Sequence, residues 1–287
     1  MIPPAFEYHA PKTLPEAAQL LGTLRDDARL LAGGHSLLPL MKLRLAAPAH
    51  LIDLNQVNEL KGIREQAGVI VIGAMTLENE IIGSALLQQK VPLLPEVARQ
   101  IADPQVRNRG TIGGDLAHGD PANDHPAAAM ALDAALVLYG PKGERTVAAD
   151  GFYLGTFATA LKADEILKEI RVKPFAPGTG YAYCKLKRKT GDWATAAAAV
   201  VLQVSGGKAS TVRIALTNVA AAALRAKDAE AALLGKQVTE QTIAGAAQAA
   251  MAACDPAEDL RGSREYKIAM AGEMTKRALR LALSRCK

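Results

Sequence analysis

Cysteine is scarce in this chain: three in 287 residues, Cys184, Cys254 and Cys286, widely spaced and in no recognisable motif. That excludes a disulfide framework. It also excludes an iron–sulfur cluster held by this chain alone, because such clusters take four thiolates. Aromatic residues make up only 4%, and 34 basic against 29 acidic residues leave a formal charge of +5. A nucleic-acid binder needs stacking aromatics and a strong basic stripe, and neither is present. The one compact basic run, Lys185-Leu186-Lys187-Arg188-Lys189, reads as a solvated strand edge or a protein-docking patch. No apolar run approaches the ~18 residues that cross a bilayer. The opening Met1-Ile2-Pro3-Pro4 lacks the basic and apolar regions of a secretory signal. A reducing, cytoplasmic setting is expected.

What the chain does have is bulk for a core: 49% apolar residues against 22% charged, over a length that suits about two domains. Thr13 and Glu16, in capping-box spacing, open an amphipathic helix through Ala17, Leu20, Leu21 and Leu24. A strand over 28–32 stops at Gly33-Gly34, a helix follows over 36–44, and strands are expected at 51–54 and 69–74. Thr76 and Pro95 open helices toward Gln89 and Ala102. Residues 108–126 show little periodicity and read as a long ordered loop or a string of tight turns. A helix over 127–134, a hairpin at 135–148 and a strand at 166–172 complete this half.

Composition shifts at Pro174-Phe175-Ala176-Pro177-Gly178, the expected boundary. Beyond it three strands (181–187, 196–204, 212–219) precede three helices (222–234, 239–253, 263–285), the block order of an α+β domain. The run Ala196–Ala199 is unusual in a strand, since alanine forms strands poorly.

Two glycine-rich elements can carry chemistry: Leu31-Ala32-Gly33-Gly34-His35-Ser36 and Arg109-Gly110-Thr111-Ile112-Gly113-Gly114-Asp115. A double glycine lets backbone approach a ligand and turn its N–H groups outward into an anion-binding concavity. A helix start just after it adds its dipole. Two such turns could clamp a pyrophosphate from both sides. Either alone is more often a plain tight turn, but Ser36, Thr111 and Asp115 beside them are small hydrogen-bonding residues, which favours a ligand.

No G-x-G-x-x-G follows a strand, and Gly206-Gly207-Lys208 is not a P-loop, so any dinucleotide binds on another fold. His118, Asp120, Asp124 and His125 offer metal-ligand chemistry, but Gly119 and Pro121 break the run and no HxH or HxxxH pair forms. Hydrogen bonding within the loop, or an N-cap at Asp124, is the better reading, and no metal site is expected. There is no nucleophile elbow, and His35 reads as a residue that steadies its turn.

The two glycine motifs, in this order, resemble the paired FAD motifs of molybdenum hydroxylase flavoprotein subunits, and within them the carbon monoxide dehydrogenase branch. Ile2-Pro3-Pro4, Ile101 to Arg107, Lys185 to Trp193, and Leu216 to Val219 extend the resemblance over the whole chain. It implies an α+β protein. A two-lobed FAD-binding domain of the vanillyl-alcohol-oxidase (PCMH) type would span residues 1–177, and a smaller domain of three-stranded sheet plus helices would span 178–287. FAD would be held non-covalently, by Leu31, Ala32, Gly33, Gly34, His35, Ser36 and Leu37 on one side. Thr111, Ile112, Gly113, Gly114 and Asp115 would hold it on the other. The resemblance also puts Asp124 on the flavin's hydroxyl-bearing chain, Ile101, Leu167 and Lys185 around the ring, and Trp193 over one ring face. Two departures stand out: Asp115 where many relatives carry asparagine, and Cys184 where an acidic residue would precede Lys185.

The implied function is electron transfer, with no catalytic residue on this chain. Molybdopterin and [2Fe-2S] clusters belong to a large molybdenum subunit and a small iron–sulfur subunit, in a dimer of heterotrimers that passes electrons to a quinone-type acceptor. The location is free in the cytoplasm or docked on the membrane's inner face. The alternatives are a flavin subunit for a purine or aromatic heterocycle and, from another class, a non-enzymatic nucleotide-binding protein.

Overall fold

A computed structural model describes residues 2–286. The chain opens with β1 (Glu7–His9), α1 (Leu14–Leu24), β2 (Ala28–Leu31), α2 (Leu37–Lys42) and β3 (His50–Asp53), forming a parallel three-stranded sheet in the order β1-β3-β2. Thr13 caps α1 by accepting the Glu16 N–H at 3.3 Å, while Glu16 reaches back to the Lys12 N–H at 2.8 Å. Leu14, Ala17, Ala18 and Leu21 of α1 bury themselves against Ala28 and Ile52 of this sheet.

Next come β4 (Ile63–Gln66), β5 (Val69–Gly73) and a helical stretch: α3 (Glu78–Gly83), α4 (Ala85–Lys90), α5 (Leu93–Ala98), α6 (Pro104–Arg107), α7 (Ile112–His118) and α8 (His125–Ala131). After β6 (Ala135–Gly140), β7 (Gly143–Ala148), β8 (Tyr153–Gly155) and β9 (Ala158–Thr159), β10 (Ile166–Val172) returns to the centre of an antiparallel sheet ordered β4-β5-β10-β6-β7. Ile70, Ile72, Leu136, Leu138 and Ile170 of this sheet meet Leu93, Leu94 and Val97 of α5 in one core.

The expected helix after Thr76 is broken in two because Ser84 starts a fresh cap, accepting the Leu87 N–H at 3.3 Å. The expected loop over 108–126 contains α7 and the start of α8. Two glycines in α7 each weaken a helix by about 1 kcal/mol, which hid it. Tertiary contact asks for them: the Gly113 N–H donates to the Ala74 carbonyl at 2.8 Å, and a β-carbon at Gly113 would stand 2.4 Å from that of Ala74.

The last part holds β11 (Gly180–Leu186), β12 (Ala196–Ser205), β13 (Lys208–Thr217), the short β14 (Leu224–Arg225), α9 (Lys227–Leu233), α10 (Glu240–Ala252) and α11 (Arg264–Arg285). The sheet is antiparallel in chain order, with a two-residue fourth strand where a helix start was expected. Its alanine run has a simple cause. Ala197 and Ala199 face the core beneath α8, while Ala196 and Ala198 face Ala271, Ala278 and Ala282 of α11. A strand pressed between two close helices has room only for methyl groups.

Candidate functional site

The two glycine turns touch. Gly33 lies so close to the second turn that a β-carbon there would sit 2.4 Å from the Arg109 carbonyl oxygen and 2.8 Å from the Gly110 α-carbon. A β-carbon on Gly114 would stand 3.5 Å from the Ala32 side chain. The first turn runs from β2 into α2 and passes through the left-handed region at Gly34, φ +77°. His35 closes it by donating from Nδ1 to the Gly33 carbonyl at 2.9 Å. Asn55 steadies it from β3's end, donating from Nδ2 to the Ala32 carbonyl at 3.1 Å.

Among the described residues, the N–H groups of Gly33, Gly34, His35 and Ser36 donate to no acceptor within the chain. Successive free N–H groups around a left-handed glycine form an anion nest. The helices that follow have only 6 and 7 residues, so these N–H groups, more than a macrodipole, supply the positive character.

Both turns open onto a cleft of about 710 Å³, a size that suits a cofactor. Ala32 to Leu37 line one wall, and Gly110, Thr111, Gly113 and Gly114 the facing one. Leu167 lies in the cleft, with Arg29 and Lys162 adding cationic side chains. Thr111 fixes the second turn by accepting the Gly114 N–H at 3.1 Å. Leu31 sits at the end of β2, and Ile112 is buried behind its turn at 1% exposure, a packing residue. The glycine cradle, the free donors and the cleft together fit a diphosphate-bearing dinucleotide.

Asp115 stands on α7 beside Gly114, and its Oδ2 accepts the His125 N–H at 3.1 Å. Burial pushes its carboxyl up to about 7, outweighing the opposing pull of His125's charge. Near neutral pH the group can therefore also donate, beyond the acceptor-only role expected of an aspartate. Next to it is a pair that sequence reasoning missed. His125 Nε2 lies 2.7 Å from Glu78 Oε2, with side chains 1% and 2% exposed. Burial opposes protonation of His125, but Glu78, then Asp115 and Asp124, outweigh it and hold the imidazole at about 9. The motif Asp124-His125 was visible, but nothing local pointed to Glu78, which sits 47 residues away.

The remaining expected site residues are not brought into this cleft. Both oxygens of Asp124 are taken within the protein, Oδ1 by the Tyr183 hydroxyl and Oδ2 by Lys185 Nζ at 2.7 Å. Burial, and after it Asp124, holds the Tyr183 phenol well above its ordinary range. Lys185 also donates to the Gln100 carbonyl at 3.3 Å, next to Ile101, whose own carbonyl accepts from Arg107 at 2.7 Å.

Lys185 is therefore no member of a solvated basic edge. Lys187 and Arg188 are engaged too, with Gln100 and Asp192 respectively. Trp193 lies in the connection between β11 and β12, which runs from Leu186 to its register partner Ala196. Trp193 is 50% exposed, carries the Arg261 guanidinium 5.4 Å from its ring centre, and lines a second cavity of about 470 Å³ with Phe157, Asn218 and Arg261.

Comparison with known proteins gives this arrangement a family. Residues 4–174 match the family model of the FAD binding domain in molybdopterin dehydrogenase, and residues 181–282 that of the CO dehydrogenase flavoprotein C-terminal domain. The chain belongs to the FAD-binding subunits of the molybdopterin dehydrogenases. Within that family it is 62% identical over 286 residues to the carbon monoxide dehydrogenase medium chain of Hydrogenophaga pseudoflava, covering 100% of both chains. It is 50% identical over 287 residues to the medium chain from Afipia carboxidovorans, again covering 100% of both. A solved carbon monoxide dehydrogenase structure from Hydrogenophaga pseudoflava superposes with a TM-score of 0.99 at 64% identity, covering 100% of each chain. In this family's domain the cofactor is FAD, and the cleft between the glycine turns offers it a cradle. Among the described residues no helix is long and apolar enough to cross a membrane.

Proposed function

We propose that this chain is the FAD-carrying medium subunit of a carbon monoxide dehydrogenase, which takes electrons from iron–sulfur clusters of a small partner and delivers them to a quinone-type acceptor. Full-length identity of 62% with a carbon monoxide dehydrogenase medium chain carries this reading. FAD supplies the chemistry when bound, accepting electrons singly and giving them up in pairs.

This chain's own residues bind and orient. The free N–H groups of residues 33–36 receive the pyrophosphate, and Thr111 to Gly114 close on it from the other side, with Leu37 in the cleft wall and Leu31 and Ile112 shaping the turns from behind. Leu167 lines the cleft. Asp115, buried beside the second turn, accepts the His125 N–H and steadies the start of α8 behind that turn. The buried Asp124–Lys185 pair, next to Ile101, ties the first part of the chain to β11 and fixes the wall where the ring would enter. Trp193, half exposed over its own cavity, is free to cover a ring face.

We assign residues 1–177 to the FAD-binding domain and 178–287 to the smaller one, the cut falling between the two matched families. The large molybdenum subunit and the small iron–sulfur subunit complete the enzyme as a dimer of heterotrimers, in the cytoplasm at the membrane's inner face where a quinone is within reach.

The test is to purify the chain with its partners and add carbon monoxide under anaerobic conditions. Bleaching of the flavin's visible absorbance, followed by recovery on adding a quinone, supports the reading. A complex whose flavin is reduced by a purine or an aromatic heterocycle and not by carbon monoxide overturns it. A complex purified without flavin overturns the electron-transfer role altogether.

A further inference from the structure

In the N-terminal sheet, the parallel pairing of β1 with β3 assembles three ligand-type side chains that the sequence keeps apart. Glu7 and His9 are two residues apart on β1 and so share a face of the sheet. The register sets Glu7 opposite His50 of β3, which puts the third side chain on that same face. Tyr8, pointing the other way, is engaged separately with Asp53 at 2.5 Å.

His9 Nε2 lies 3.1 Å from His50 Nδ1, and Glu7 Oε2 lies 3.4 Å from that same nitrogen. All three ligand atoms fall within 4.8 Å of one another. Four ligands placed tetrahedrally at about 2.0–2.1 Å from a zinc ion stand about 3.3–3.4 Å apart, and both measured spacings are near that edge length. Hydrogen bonding alone serves the trio poorly: His50 Nδ1 carries one proton or one lone pair, yet both a nitrogen and a carboxylate converge on it. A cation at their centre would satisfy all three at once.

We infer that Glu7, His9 and His50 form a binding site for a divalent borderline-soft cation such as zinc, at the β1 edge of the N-terminal sheet. Two imidazoles and one carboxylate are nitrogen-rich donors that suit zinc, cobalt, nickel or copper and not magnesium or calcium, which favour all-oxygen cages. The Glu7 and His50 side chains are 74% and 21% exposed, so water can complete the fourth position. A bound ion would cross-link β1, a strand of only three residues, to the middle strand of its sheet. None of the three residues lines the flavin cleft, which β2 alongside does line, and the inference does not rest on the function proposed for that cleft.

The test uses the full chain, stripped with a chelator and titrated with zinc by calorimetry, alongside Glu7→Gln, His9→Asn and His50→Asn. Wild type is expected to take up one equivalent, and each variant to bind it at least about tenfold more weakly, no less than the loss seen on removing an outer-shell partner of a metal ligand. Cobalt is expected to give visible bands of a four-coordinate site that all three variants lose. Far-ultraviolet circular dichroism matching that of wild type reports that the variants are folded. Glu7→Gln is the safest arm, because the Glu7 side chain is mostly in water. Zinc held at Cys184, Cys254 or Cys286 would persist in every variant. Equal zinc binding by wild type and variants, or no saturable uptake by wild type, overturns the inference.

Discussion

Lys185 and Asp124 form an ion pair of 2.7 Å with side chains only 1% and 6% exposed, joining a strand of the C-terminal sheet to the loop that enters α8. The Tyr183 hydroxyl holds the carboxylate's other oxygen. The pair thus fastens two parts of the chain at a point next to the expected ring site, and its lysine is not a free donor waiting for a ligand.

Removing that lysine strands a buried charge. Lys185→Met is expected to destabilise the protein by about 3–5 kcal/mol, the usual cost of breaking a buried pair on one side. The double change Lys185→Met with Asp124→Leu is expected to recover much of that loss. Urea unfolding of the two variants checks this, and a Lys185→Met protein as stable as wild type would rule out the pair.

Glycine substitutions separate the cradle from the rest of the molecule. Gly33→Ala pushes a methyl group into the Arg109 carbonyl, 2.4 Å away, and must move the two turns apart. FAD affinity is expected to fall at least tenfold, which is about 1.4 kcal/mol. Gly22→Ala, in α1 with open space around it, is expected to keep full flavin and gain up to about 1 kcal/mol of stability. The flavin-to-protein absorbance ratio after gel filtration decides between these outcomes.

The buried cluster around α7 and α8 sets a pH dependence. Asp115 titrates near 7 when folded against its ordinary 3.8, so between those values the folded state holds more protons. Its contribution is complete below the lower value and lost as pH rises through the higher one. His125, near 9 against 6.5, extends the loss to alkaline pH. Asp115→Asn is expected to raise stability at pH 8 by about 1–2 kcal/mol and to flatten its fall between pH 4 and 7. Denaturation midpoints of both proteins across that range are the measurement.

Trp193 offers a contrast between stability and cofactor environment. Half exposed, with one cation over its ring, it contributes about 0.5–1 kcal/mol through that contact. Trp193→Ala is expected to leave the unfolding midpoint nearly unchanged yet shift the absorbance of bound flavin in the assembled complex. An unaltered flavin spectrum would mean that Trp193 serves only its own cavity.

Local chemistry carried much of this protein in its sequence. Thr13 and Glu16 announce α1, the strand before Gly33-Gly34 announces the first turn, and the two glycine motifs together announce the family, because capping, turn and backbone-approach requirements each act within a few residues. The helix inside 108–126 escaped because its glycines read as breakers, while the reason for them, the press of Ala74 against Gly113, lies elsewhere in the chain. Tertiary structure alone decided which groups meet: Gly33 with Arg109, Glu78 with His125, Asp124 with Lys185, and Glu7 and His9 with His50. Periodicity records which face a side chain takes, but not the strand register or helix packing that sets another residue opposite it. Those are settled only when sheets and helices close on a shared core, and there buried charges acquire the partners that shift their proton affinities.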